Sequence, residues 1–260
     1  MNYRYHKAHP LLSEYVRTVL ILEGSAEPDP HRLPLFTNGM PALLCRTEKD
    51  EEGKEQISML SLHGQSTPPE CWSEHEHTTV IAYFFKPFAL ATLFNVPAAV
   101  LKETPMNLSQ WSPHKTNALK TQLIYSELTE QKTEALDALL IHQLKEHQKE
   151  CDTIRYATDQ ILFNSGTEIL SDLLKQMNVG ERTFQRMFKK YVGVTANQYR
   201  RICQFQLSFS QLNSGKFDKL TDVAFDNGFA DQSHFIRSFR EFAKTTPHSY
   251  LKSGLDTKKE

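Results

Sequence analysis

The chain is poor in the residues that build covalent scaffolds, phosphate cradles or membrane spans. It has four cysteines in 260 residues, Cys45, Cys71, Cys151 and Cys203. They are scattered, without the Cys-x-x-Cys spacing of zinc or redox sites, so no disulfide framework is expected and a reducing cytoplasm fits best. Glycine contributes 10 residues and none cluster, which leaves no P-loop or dinucleotide fingerprint. The longest apolar runs, Val19-Leu-Ile-Leu22 and Val80-Ile-Ala-Tyr-Phe-Phe85, fall far short of the ~20 residues that span a bilayer. Nothing resembles a signal peptide, because Met1-Asn-Tyr-Arg-Tyr-His-Lys has no apolar core behind it. With no nucleophile motif either, the sequence calls for no catalytic residue and no cofactor, and an enzyme is not expected.

Charge of one sign is also lacking overall, with a formal net charge of −1. Its distribution is uneven. Residues 152–260 carry 16 Lys+Arg against 12 Asp+Glu, or +4; subtracting these from the whole-chain 30 and 31 leaves 14 against 19, or −5, for residues 1–151. A polyanionic partner would therefore be met by the C-terminal part.

That part contains an internal repeat. Phe188-Lys-Lys-Tyr-Val-Gly-Val-Thr-Ala-Asn-Gln-Tyr199 recurs 51 residues later as Phe239-Arg-Glu-Phe-Ala-Lys-Thr-Thr-Pro-His-Ser-Tyr250. Each copy follows a short helical pattern, a turn and a second helix. In the first, Ile169, Leu170, Leu173 and Leu174 lead to Asn178-Val-Gly180, then Phe184, Met187 and Phe188; in the second, Leu220, Val223 and Ala224 lead to Asn227-Gly-Phe229, then Phe235, Ile236 and Phe239. Two helix-turn-helix units are the natural reading. Thr195 to Leu212 is long enough to bridge them, with Thr195 as cap and Asn213-Ser-Gly215 as its end.

The outward faces of the second helices carry groups suited to DNA: Arg182, Thr183, Gln185, Arg186 and Lys189 in one copy, Gln232, Ser233, His234, Arg237 and Arg240 in the other. Arg can contact guanine and Gln adenine in the major groove, while Lys and Ser commonly hold phosphate. A basic helix face by itself is usually just solvated. Two such faces on repeated frames point to double-stranded DNA instead.

Here the residues resemble the AraC/XylS family of transcriptional regulators, whose DNA-binding domain has two helix-turn-helix motifs joined by a long helix. The signature of the second motif is nearly reproduced as Gly228-Phe-Ala-Asp-Gln-Ser-His-Phe-Ile-Arg-Ser-Phe239, closing with Thr246-Pro-His-Ser-Tyr250, and the resemblance spans roughly residues 152–252. It implies a regulator whose recognition helices enter successive major grooves, with RNA polymerase as a further partner if the protein activates. The chain departs from the family pattern at Leu174, where a small residue is usual, at Gly180 for Ser, at Gln204 for Arg and at Lys244 for Gly. Lys244 in a left-handed turn would cost roughly 1 kcal/mol.

The first 112 residues read as an α+β unit. Strands are expected over Tyr15–Leu22, Ala42–Cys45, Ile57–Leu62 and Val80–Phe85, followed by a helix over Phe88–Phe94. The order of Leu33-Pro34, Gly64, Lys86-Pro87 and Asn95-Val-Pro-Ala98 resembles an uncharacterised domain often found ahead of AraC-type DNA-binding domains, which implies a small β-rich, barrel-like fold. From Lys115 to Lys149, Leu119, Leu123, Ile124 and Leu128, then Leu136, Leu139, Leu140 and Leu144, mark two amphipathic helices broken near Glu130-Gln-Lys132. These either pack one domain on the other or pair two chains as a homodimer.

The expected organisation is thus a β-rich α+β sensing or assembly domain over 1–112, a helical linker over 113–150, an all-α DNA-binding domain over 151–252 and a polar tail over 253–260. Two features suggest other functions. Cys71 with His75 and His77 is similar to a cupin metal site in its His-x-His spacing, but Thr79 and Val80 stand where that site's Glu would fall; a surface strand with titratable His is the plainer account. Tyr83, Phe84, Phe85, Phe88 and Phe94 can line a small-molecule effector pocket or be simple core. The rival readings are a cupin-like metalloenzyme or repair protein fused to a DNA-binding domain, and a helix-turn-helix interaction module without DNA binding.

Overall fold

The computed structural model describes residues 2–24, 40–64, 78–101, 104–146, 152–166 and 168–255. Leu33-Pro34, the candidate metal group Cys71, His75 and His77, and the tail beyond Leu255 lie outside the described residues.

The N-terminal part is built on six strands: β1 (Asn2–His6), β2 (Val16–Glu23), β3 (Ala42–Lys49), β4 (Glu55–His63), β5 (Thr78–Phe85) and β6 (Met106–Asn107). All pairings are antiparallel, in the order β1-β2-β5-β3-β4-β6. The β-branched and aromatic runs of β2 and β5 lie inside the sheet, buried on both faces, which is why they read as nearly continuous apolar stretches. On one face Val19, Ile21, Leu43, Cys45, Leu60, Leu62, Ile81, Tyr83 and Phe85 form the main core. On the other, Leu20, Leu22, Ala42, Leu44, Val80, Ala82 and Phe84 form a second cluster with Met40 and Met59.

The helices that cover the main face are α1 (Ala89–Leu93), α2 (Leu108–Trp111), α3 (Pro113–Tyr125) and α4 (Thr129–Glu146). Leu119, Leu123, Leu136 and Leu140 are fully part of the sheet's core. The two long helices therefore pack into the core of the N-terminal body. The break between them lies at residues 126–128, not at Glu130-Gln-Lys132. Lys132 sits inside α4 with only 3% of its surface exposed. Its ammonium donates to Thr47 Oγ1 at 2.9 Å and is paired with the Glu55 carboxylate, so α4 is pinned to the β3–β4 hairpin. Further along α4, Tyr83 donates its hydroxyl to Asp137 at 2.8 Å.

The C-terminal part is all helical: α5 (Asp152–Phe163), α6 (Ile169–Met177), α7 (Glu181–Tyr191), α8 (Ala196–Ser214), α9 (Leu220–Asp226), α10 (Gln232–Ala243) and α11 (Pro247–Leu255). Thr195 caps α8 in a reciprocal box with Gln198, and Gly215 ends it in a left-handed conformation. Helix α11 starts at Pro247 and runs past Tyr250, where the repeated string closes.

Two separate cores hold this part together. The first gathers Ile154, Ala157, Ile161, Leu173, Phe184, Phe188, Val192, Val194, Tyr199 and Cys203, and it includes Phe88 from the N-terminal body. The second draws on Phe205, Leu212, Val223, Ala224, Phe229, Phe235, Phe239 and Ala243. Phe88 is 2% exposed and meets Tyr15 edge-on, with ring centroids 6.1 Å apart. Nearby, the 3-10 turn Ala98–Leu101 packs against α7. At Gly193, φ is +85° and an added Cβ would lie 2.7 Å from the backbone carbon and oxygen of Ala98, so this seat admits only glycine. Arg155 reaches Glu14 at 3.1 Å across the same junction.

Lys244 ends α10 in the left-handed region, at φ 56° and ψ 13°. A Lys244→Gly chain should gain about 0.5–1 kcal/mol by removing the Cβ penalty there. Urea unfolding checks this, and an unchanged or lower midpoint would count against it.

Candidate nucleic-acid interface

In the first unit, α6 ends at Asn178, which takes the left-handed conformation at φ 48° and accepts the reversal into α7. Gly180 caps α7 without a side-chain hydrogen bond. Phe184 and Phe188 turn inward at helical spacing, with rings 4.9 Å apart. That burial leaves Arg182, Thr183, Arg186 and Lys189 exposed on the outer side. Gln185 is placed differently from the other polar groups: it is half-buried, and its Oε1 accepts from the Ala196 backbone N–H at 3.3 Å. It holds the start of α8 while standing at the edge of the outer face.

In the second unit, α9 and α10 are joined through Asn227 and Gly228, the latter at φ +73°. Asp231 caps α10, accepting from the His234 backbone N–H at 2.7 Å. Phe235, Ser238 and Phe239 are buried, and Gln232, Ser233, Arg237 and Arg240 are directed away from that core. His234 is half-buried, its ring set edge-on against Phe229 with centroids 5.3 Å apart. The helical period that buries the aromatic residues is thus what aligns the cations outward.

Among the described residues, Arg182, Arg186, Lys189, Arg237 and Arg240 take part in no ion pair, whereas Arg4, Arg155 and Arg201 are paired with carboxylates. Unpaired cations at a surface are free to neutralise phosphates, and that contact releases the counterions condensed on DNA.

The bridging helix holds both units at neighbouring turns. Arg200 donates Nη1 to the Ser165 carbonyl at 3.0 Å, in the loop before α6. Four residues on, Gln204 donates Nε2 to the Gly228 carbonyl at 2.8 Å and, longer, to that of Asn227 at 3.4 Å. In the sequence Gln204 stands out only as a departure from the family pattern. Its spacing of four from Arg200 is the available signal that the two share a face.

A helix-turn-helix domain model matches residues 173–253, and a domain of unknown function (DUF6597) matches residues 4–107. Residues 173–253 thus carry a helix-turn-helix domain. The chain is 27% identical to the Transposon Tn10 TetD protein of Escherichia coli over 150 residues, 58% of its own length and 95% of that protein. It is 26% identical to the Probable transcription factor PqrA of Proteus vulgaris over 106 residues, 40% of its length and 83% of PqrA. Among solved structures, ToxT from Vibrio cholerae O395 aligns over 97% of this chain and 96% of its own, at 11% identity and a TM-score of 0.47.

Helices α7 and α10 both fall within the residues that the helix-turn-helix model matches. Among the described residues, no group of three or more His, Cys, Asp or Glu is placed to hold a metal ion, and no helix is long and apolar enough to cross a membrane. The aromatic residues that could line a pocket are divided among three clusters: Tyr83, Phe85 and Phe94 in the main core, Phe84 on the opposite sheet face and Phe88 in the first helix-turn-helix core.

Proposed function

We propose that the protein is a sequence-specific transcription regulator of the bacterial cytoplasm that reads two successive major grooves at once, one with α7 and one with α10. The observation that carries this reading is the attachment of both units to adjacent turns of one long helix, each with its unpaired cations outward. Two recognition helices on such a strut suit elements about one helical turn, ~34 Å, apart. Arg182, Arg186, Gln232 and Arg237 are assigned to base edges, and Thr183, Lys189, Ser233 and Arg240 to phosphate. Gln185 and His234 stand at the inner margins, each with one edge committed to protein, and each offers DNA its remaining edge. The N-terminal body serves as the sensing or assembly domain.

Site selection from random DNA with the full chain should enrich two short elements separated by about one helical turn. Absence of any enriched motif would leave an interaction module without DNA binding as the better reading. At the selected site, Arg186→Ala should cost about 1–3 kcal/mol and relax preference at one position. Lys189→Ala should weaken all sequences alike and lower the salt slope by about one. Wild-type behaviour of both variants would dismiss the assignment of α7.

A further inference from the structure

We infer that Gln204 is a positioning residue that fixes the spacing between the two DNA elements; this rests on the two-groove reading above. Gln204 is 1% exposed, and both hydrogen bonds of its amide nitrogen go to carbonyls of the turn between α9 and α10. An oxygen in that place would oppose two carbonyl oxygens, so the orientation of the amide is dictated by its partners. The opposite end of the group then has nothing to do: among the described residues, Gln204 Oε1 is buried with no hydrogen-bond partner. A buried acceptor is left unsatisfied in order that the donor can hold the turn.

At the held turn the two units approach each other. Gly228 is left-handed, and the side on which a Cβ would project faces Gln204 Nε2 at 3.4 Å and the Gly166 Cα at 3.6 Å. Gly166 follows Ser165, whose carbonyl takes the Arg200 guanidinium. Arg200 and Gln204 therefore clamp the entry loop of the first unit and the turn of the second from one face of α8, about one helical turn from each other. The second unit has its own core, with no residue from the N-terminal body among its buried members. Its angle about α8 depends on the connection through residues 215–219, on packing against α8, on the ties Arg201–Glu241 and Gln211–Asn227, and on this clamp. Since α10 begins at Gln232, just beyond Gly228, a pivot at the turn swings the second recognition helix relative to the first. Loss of the clamp should leave each unit able to read its own element while loosening the separation at which both engage.

The test is binding of the full chain to the selected site and to versions with one base pair added or removed between the two elements. The wild type should lose roughly tenfold or more in affinity on either change, the size of one mismatched position. Gln204→Met keeps the length of the side chain and removes both donors; its penalty for altered spacing should fall to about threefold or less, with thermal melting confirming that it is folded. Gln204→Arg, whose group has donors and no acceptor, should restore the sharp preference. A folded Gln204→Met chain that keeps the full wild-type penalty overturns the positioning role and leaves the two-groove reading standing. A wild type that binds a single element without regard to spacing overturns both. If Gln204→Met does not fold, Gln204→Arg decides, since a flattened preference in a folded Arg chain also refutes the role.

Discussion

Phe88→Ala is expected to destabilise the chain by about 3–5 kcal/mol, as for a fully buried aromatic residue whose cavity cannot collapse. Its ring is 2% exposed and shares a core with Ile154 of α5, Phe184 and Phe188 of α7 and Val194 before α8, although the backbone that carries it belongs to the N-terminal body. Collapse is restricted because the junction around the cavity is itself locked, by Ala98 against Gly193 and by Glu14 with Arg155. The informative control is Phe84→Ala. Phe84 is 5% exposed but sits on the far sheet face, away from the helical part. Both variants should lower the urea midpoint, but only Phe88→Ala should also weaken DNA binding, and mainly at the element assigned above to α7. A loss below about 1 kcal/mol for Phe88→Ala would mean that the junction is not a shared core.

Lys132→Met comes next in size. Removing one partner of a buried pair typically costs about 3–5 kcal/mol because the remaining charge is left uncompensated. The expected value is about 3 kcal/mol, at the low end, since the Glu55 side chain retains 18% exposure. Burial pushes the Glu55 carboxyl upward, but the hydrogen bonds from Lys132 and Thr47 outweigh it and hold the group below its ordinary value. A carboxylate whose folded pKa is depressed contributes stability that is present above its unfolded pKa, about 4.3, and is lost as pH falls through the folded value. The difference between wild type and Lys132→Met should therefore be full at about pH 7 and shrink on acidification below about pH 4. Urea unfolding at both pH values measures it, and a difference that persists unchanged in acid would exclude this pair as the cause.

Much of the DNA-binding part is legible in the sequence because two strong periodic signals coincide there. Phe184 with Phe188 and Phe235 with Phe239 recur at helical spacing, and Asn178 and Gly228 punctuate the turns. The inner strands of the sheet are also readable, from β-branched runs. Strand β1 carries no such signal because Asn2–His6 is a polar strand that, among the described residues, pairs only with β2 at the sheet edge. Lys132 misleads for a physical reason: a lysine in a charged segment ordinarily marks a solvated break, and nothing local reveals that Glu55, 77 residues earlier, waits beneath it. Phe88 groups with its aromatic neighbours in sequence because its burial is evident while the identity of its core is not. Gln185 reads as an outward group from its period alone, yet it is tied to Ala196 in the next helix. Long-range pairing, invisible to periodicity, is the common element in all of these.

The shared Phe88 core has a consequence for how the two copies of the repeat can vary. Among the described residues, the apolar core beneath α10 is drawn from residues 205–251, so a substitution there can be offset within the same unit. The buried side of α7 answers also to a residue from another domain, and an offsetting change must suit two neighbours at once. The second unit is therefore the more separable one, provided that a graft across α8 takes Arg201 and Gln204 with it. The first is inherited together with the N-terminal body, and a new specificity installed on it has to be found without disturbing that seam.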